Sequence, residues 1–386
     1  MSVDWKPRTK AVHSGTRRSQ YNEVSEAVFL TQGFVYDSAE QAEARFEEIG
    51  PDEFIYARYG NPTVRMFEDR ISGLLGYEDC FACTSGMAAV SGALTSLLKA
   101  GDHVVAARAL FGSCLYVLED ILARFGVEVT LIDGTDNAAW DAAIRPDTTM
   151  VFFESISNPT LEVVDMRHVV KAAHAVGALV VLDCIASGCA WVDMKALGVD
   201  VLLSAPQKGW SASPSAGLVM MSDRAVARMG ETTSDSFAID LAKWHSIMKA
   251  YENGGHAYHA TMPTDALRQF RDTMLETKSY GFDRLKEAQW RLGDSVRKML
   301  AERGVTSVAA EGFGAPGVVV SYTADPSVQN GKAFAAEGMQ IAAGVPLMCD
   351  EPEDFQTFRL GLFGLDKLYD VDATLARLAA VVDKVL

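Results

Sequence analysis

The chain has 386 residues, 49% of them apolar, and a formal net charge of -16. That length exceeds what one core usually holds, so a large domain with a smaller second one is expected. Acidic residues number 51 against 35 basic ones, with no Lys- or Arg-rich block, which argues against a nucleic-acid or anionic-membrane partner; no apolar run approaches the ~20 residues of a membrane span.

Met1 to Lys10 is polar, with Lys6, Arg8 and Lys10 and no apolar stretch behind them, so no secretory signal and a cytoplasmic setting are expected. Residues 1–60 read as an irregular arm. From 61 to about 235 a large domain is predicted, because short apolar runs at 80–83, 103–107, 127–132, 150–153, 178–182, 199–203 and 218–221 alternate with helix-length segments. Such runs lack polar alternation and so read as strands buried on both faces, which predicts an α/β fold with a mostly parallel seven-stranded sheet. Helices are predicted at 86–100, 112–125 and 166–176, the last two stopped by Gly126 and Gly177. Residues 236–386 read as linking helices and a smaller C-terminal α+β domain. Long helical stretches at roughly 237–252 and 264–303 precede a strand at 318–322 and a last helix from Asp372.

Several motifs carry ordinary structural readings. Gly312-Phe-Gly314-Ala-Pro316-Gly317 fits a dinucleotide fingerprint, yet it precedes a strand and contains Pro316, so it reads as a loop. The six cysteines, at 80, 83, 114, 184, 189 and 349, suit reduced thiols. Cys80 and Cys83 form an isolated Cys-x-x-Cys and read as small core residues, His256 and His259 as solvent or packing groups, and His168 and His174 share a helix without a nucleophile. No metal site is expected.

Chemistry concentrates at two strand ends. Asp183 closes the run Ala178-Leu-Val-Val-Leu182, and Lys208 follows Ser204-Ala-Pro-Gln207. A carboxylate and a lysine so placed suit pyridoxal 5′-phosphate: the carboxylate keeps the pyridine nitrogen protonated and the lysine forms the Schiff base. Thr84-Ser85-Gly86-Met87, between the first strand and its helix, offers backbone N–H groups to a phosphate, with Gly86 permitting close approach and Ser85 adding a hydroxyl. Phe111 and Asn158 follow in order.

Residues 1 to about 183 resemble the Cys/Met-metabolism pyridoxal phosphate enzymes, in particular their O-succinylhomoserine sulfhydrylase branch. The motifs are Val12-His-Ser-Gly-Thr16, Tyr56-Ala-Arg58-Tyr-Gly-Asn-Pro-Thr, Ala82 to Met87, Ala-Leu-Phe111-Gly-Ser and Glu154-Ser-Ile-Ser-Asn158-Pro. The resemblance implies that Tyr56 and Arg58 reach the phosphate of a neighbouring subunit, that Gly86 and Met87 bind phosphate in the same subunit, that Phe111 stacks on the ring and that Asn158 bonds its hydroxyl. Residues 184–386 are instead similar to class V aminotransferases of the alanine-glyoxylate type, through Ser204-Ala-Pro-Gln207-Lys208-Gly, Tyr258-His-Ala-Thr261-Met-Pro and Phe358-Arg359-Leu-Gly-Leu-Phe-Gly. This second resemblance implies phosphate contacts from Gln207 and from a partner subunit's Tyr258 and Thr261, with Ser204 in the same motif, and a substrate carboxylate on Arg359, whose fork is bidentate. Both imply fold type I and a homo-oligomer with cross-subunit sites acting on a small amino-acid substrate, and together they describe a hybrid chain. The first implies γ-replacement of O-succinylhomoserine by sulfide; the second implies transamination. A hybrid that binds cofactor without turnover stays open as well.

Overall fold

A computed structural model describes the chain except residues 1–8, 10–12, 25, 48–52, 58–60, 76–78, 159, 235, 256, 258, 260–262, 347–350 and 353. Seven strands, β1 (Asp79–Cys83), β2 (His103–Ala107), β3 (Glu128–Ile132), β4 (Thr148–Glu154), β5 (Leu179–Asp183), β6 (Val201–Ser204) and β7 (Gly217–Met221), form one sheet in the order β1-β7-β6-β5-β4-β2-β3. Only β7 runs antiparallel, to both of its neighbours. Side chains alternate across the pleat: Val151, Phe153, Val180 and Leu182 enter one buried cluster, Met150, Phe152, Leu179 and Val181 the other. Both faces are thus covered, and this is why the strands are continuous apolar runs. Cys80 and Cys83 fall on opposite faces and belong to different clusters, so they cannot share a ligand.

The predicted stops at Gly126 and Gly177 have φ of 76° and 84°. Four expectations are corrected. The arm is not wholly irregular, since Ala39–Glu47 is a helix. The stretch 264–303 is two helices, Thr264–Tyr280 and Phe282–Ala301, broken at Gly281, whose φ of 107° an L side chain rarely adopts. The helix expected at 112–125 is α-helical over Gly112–Tyr116, becomes a π-helix over Val117–Leu122 and returns to α at Ala123 and Arg124. The helix expected at 86–100 ends at Leu97.

A second sheet, in the order β8-β10-β9, joins β8 (Val318–Tyr322), β9 (Ala342–Ala343) and β10 (Thr357–Gly361), all antiparallel. Its core includes Val319, Phe358 and Leu360 under Leu292, Val296, Leu378 and Val382 of the helices Phe282–Ala301 and Val371–Val385. Residues 312–317 form a loop leading into β8, as expected. The arm is fastened by a buried ion pair between Arg70 and Glu26 at 2.5 Å, with Arg271 at 3.5 Å from the same carboxylate.

Candidate active site

The carboxyl ends of the parallel strands face one crevice, the place where open α/β sheets bind ligands. There a cavity of about 300 Å³ brings together Ser85, Gly86, Met87, Phe111, Asn158, Asp183, Gln207 and Lys208, with Cys114, Glu154, Ile185 and Ala186 completing the wall. Five chain segments that sequence alone could only order are here neighbours.

Ser85 caps the helix Gly86–Leu97, its Oγ accepting the Ala88 N–H at 3.1 Å. The first N–H groups of that helix have no intrahelical acceptor and are oriented for an anion. A Cβ on Gly86 would lie 3.1 Å from Ile185 Cδ1 and 3.3 Å from the Ala205 Cβ, so a side chain there would need its neighbours to give by a few tenths of an ångström. Asp183 lies at the floor, buried, where its Oδ1 accepts the Ile185 N–H at 2.7 Å and the Cys114 thiol donates to Oδ2 at 3.8 Å. Burial pushes its carboxyl up to about 6, against the pull of those two donors. Glu154 stands opposite Asp183 in the β4–β5 register, and burial together with the Asp183 charge raises its carboxyl well above the usual range.

Lys208 follows β6 in a turn closed by Ser211 N–H donating to its carbonyl at 3.2 Å. Gly209 lets that turn press on its neighbour, because an added Cβ would lie 2.2 Å from the Gly188 carbonyl oxygen. Burial, then the nearby Arg359 charge, lowers the Lys208 ammonium below its ordinary range, favouring the free amine. Its Nζ lies 5.6 Å from the centre of the Phe363 ring. The Gln207 Oε1 is buried without a hydrogen-bond partner among the described residues. Arg359, on β10, donates from Nε to the Ala343 carbonyl at 2.9 Å and from Nη1 to Asn158 Oδ1 at 3.5 Å, so the second sheet delivers a guanidinium beside the cavity.

Two predicted residues are not brought there. Ser204 faces a separate, largely apolar cavity, where its Oγ accepts the Trp210 indole N–H at 3.2 Å. Tyr56 bridges Gly33 and packs with Ile55, Ile247 and Tyr251. Arg58, Tyr258 and Thr261 lie outside the described residues, as do His256 and Cys349. His259 packs between the rings of Phe237 and Trp244, while His168 and His174 pair with Asp141 and Asp200.

Glu154, Cys114 and Phe363 were given no part by the sequence reading. For Glu154 a signal existed: like Asp183, it is a carboxylate that ends an apolar strand. Cys114 and Phe363 reach the crevice through tertiary packing, which no local pattern announces.

Residues 8–226 match the family described as Cys/Met metabolism PLP-dependent enzyme. The chain belongs to that family. The match continues past Asp183, where two resemblances were expected to meet, and takes in Lys208. The likeness of the rest to class V aminotransferases is carried by sequence motifs alone. The chain is 46% identical over 196 residues to an O-succinylhomoserine sulfhydrylase of Mycobacterium tuberculosis, covering 50% of this chain and 48% of that protein. It is 37% identical over 203 residues to an L-methionine gamma-lyase of Fusobacterium nucleatum, covering 52% of this chain and 51% of the other. The chain therefore spans about half the length of the curated relatives it matches. A putative O-acetylhomoserine (thiol)-lyase of Campylobacter jejuni, solved with N′-pyridoxyl-lysine-5′-monophosphate, has the same fold, with a TM-score of 0.72 and 18% identity over 97% of this chain and all of the other.

The family's cofactor is pyridoxal 5′-phosphate, and the residues present fit it. One cavity offers a helix N-terminus for a phosphate, a buried carboxylate for a ring nitrogen, an aromatic side chain and a lysine amine weakened as a base by burial; Gln207, whose Oε1 has no partner among the described residues, lines the same space.

Proposed function

We propose that the protein is an O-succinylhomoserine sulfhydrylase-type enzyme that replaces the γ-succinyl group of O-succinylhomoserine with sulfide, giving homocysteine and succinate. The observation that carries the reading is the cavity in which Lys208, Asp183, Asn158 and Phe111 converge beside Arg359, in a chain whose sulfhydrylase relative is 46% identical over the matched residues. Bound through Lys208, pyridoxal phosphate supplies an electron-withdrawing ring that accepts the electron pair left when the substrate loses its Cα proton. Every other task falls to the chain. Ser85, Gly86, Met87 and Gln207 hold the phosphate, Asp183 keeps the ring nitrogen protonated, Phe111 stacks and Asn158 bonds the ring hydroxyl. Arg359 binds the substrate α-carboxylate. Lys208 Nζ, depressed as a base by burial and by Arg359, takes the Cα proton and later returns it. A β-proton is then given up to solvent, the Cγ–O bond breaks with its electron pair going to succinate, sulfide forms the Cγ–S bond, and a proton returns to Cβ so that homocysteine keeps the CβH2 of the substrate.

A transaminase reading keeps one specific support: Gln207 and Arg359, both from the segment similar to class V aminotransferases, stand at or beside the cavity. In that reading Lys208 moves the proton from Cα to the cofactor instead, and a 2-oxo acid is released. Incubation with O-succinylhomoserine and sulfide, and separately with alanine and glyoxylate, decides between them. Homocysteine and succinate are expected; pyruvate and glycine without homocysteine would overturn the first reading, and a cofactor band that no amino acid perturbs would mark a binding-only hybrid.

The active unit in this proposal is a homo-oligomer in the cytoplasm. Tyr56 lies away from its own chain's cavity, and Tyr21, Val24 and Val35 of the arm are 81%, 89% and 91% exposed, which suits an arm that lies on a second copy. Among the described residues no helix is long and apolar enough to cross a membrane.

A further inference from the structure

Glu154 closes β4 as Asp183 closes β5, is 4% exposed and lines the cavity, yet the reaction described above gives it no task. Both of its carboxyl oxygens are already engaged. Oε1 accepts the Phe111 N–H at 2.5 Å and Oε2 accepts the Asn158 N–H at 3.0 Å. Those donors come from different loops, one after β2 and one after β4, and carry the two side chains assigned to the face and the hydroxyl of the cofactor ring. A Glu154 oxygen, an Asp183 oxygen and the Cys114 sulfur lie within 4.8 Å of one another. At that separation in a buried site the charge of each carboxylate opposes ionisation of the other.

We propose that Glu154 is a positioning residue of the cofactor site, which ties Phe111 and Asn158 to the strand end carrying Asp183 so that the three ring contacts keep a single spacing. The inference rests on the reading of the cavity as the pyridoxal phosphate site. Burial and the neighbouring Asp183 charge raise the Glu154 carboxyl well above the usual range, against the pull of the Phe111 and Asn158 N–H groups. Loss of either tie releases a buried N–H and frees one ring contact from the other two.

The test titrates cofactor-free wild type, Glu154→Gln, Asn158→Ala and the double variant with pyridoxal phosphate. Visible absorption gives affinity, visible circular dichroism gives the ring pose and far-ultraviolet dichroism checks the fold. Glutamine keeps the size but offers one acceptor and turns an NH2 toward the other N–H. Glu154→Gln is expected to weaken binding by about 10-fold or more, as for a buried donor left unpaired, and to change the visible dichroism. Its effect and that of Asn158→Ala should combine to less than their product, because Asn158→Ala keeps the backbone N–H but removes one of the ring contacts that Glu154 positions. A folded Glu154→Gln with wild-type affinity and dichroism overturns the proposal. Should that variant not fold, Glu154→Asp, whose carboxyl is one methylene short of spanning both donors, is read in the same way; failure of both to fold also overturns it, since Glu154 would then serve the fold. Wild type that binds no pyridoxal phosphate strikes instead at the reading of the cavity.

Discussion

Asp183 and Arg359 show what burial does to single groups in this crevice. Asp183 is 5% exposed, and its carboxyl is pushed from the ordinary 3.8 up to about 6. Between those values the unfolded chain has released a proton that the cofactor-free fold retains, so this group makes the fold less stable as pH rises from about 4 to about 6. The loss is on the order of 3 kcal/mol, at ~1.4 kcal/mol per pKa unit, and changes little above that window. Cofactor-free wild type should therefore lose melting temperature relative to Asp183→Asn across that window, and the difference should shrink once pyridoxal phosphate supplies a cationic partner. Parallel melting curves would contradict it. Arg359 spends Nε on a backbone carbonyl and reaches Asn158 Oδ1 from Nη1 only at 3.5 Å, which leaves Nη2 and a long, yielding Nη1 contact for a ligand. Arg359→Lys keeps the charge and loses the fork, so KM for the amino acid should rise by about 10-fold or more with kcat changed less, in steady-state kinetics. Asp183 and Lys208 stand out in the sequence because one closes an apolar run and the other follows the next run after Ser204-Ala-Pro-Gln207; Ser204 lies at another cavity, and its motif says nothing of which way a strand-end side chain points.

At the scale of elements, the inner strands of the main sheet were legible because burial on both faces leaves an apolar run, while the edge strand β3, Glu128-Val-Thr130-Leu-Ile132, is only partly buried and shows through Val129, Leu131 and Ile132. Strand β10 was not, since Arg359 interrupts its five residues and they read as a motif. The helix Ala39–Glu47 escaped for the opposite reason: it is largely polar and shows no apolar stripe to read. The turn that bears Lys208 depends on close backbone approach. Gly209→Ala, with its Cβ 2.2 Å from the Gly188 oxygen, should destabilise the fold by ~1–3 kcal/mol or more and move Lys208, measured by denaturant unfolding and by loss of the cofactor band. Gly112→Ala, where an added Cβ meets nothing within 4 Å, should change stability by less than about 0.5 kcal/mol. Equal effects of the two would contradict the packing account.

For the whole molecule, the ion pairs of Glu26 with Arg70 and Arg271 hold the middle of the arm while Tyr21, Val24 and Val35 on either side stay exposed. Association of two copies is the expected consequence. Light scattering coupled to size exclusion should give a dimer or a multiple of it, and dilution into monomer should lower pyridoxal phosphate affinity; a monomer that holds the cofactor tightly would contradict this. The sequence ordered the site's segments along the chain, but their convergence from both sheets on one crevice is a tertiary fact that periodicity does not contain.

The central claim is that Lys208 carries the cofactor. Purified protein loaded with pyridoxal phosphate should be yellow, lose its visible band on borohydride reduction, and yield one peptide bearing the reduced pyridoxyl group on Lys208 by mass spectrometry. A label on any other lysine, or a band that borohydride leaves unchanged, would contradict the account.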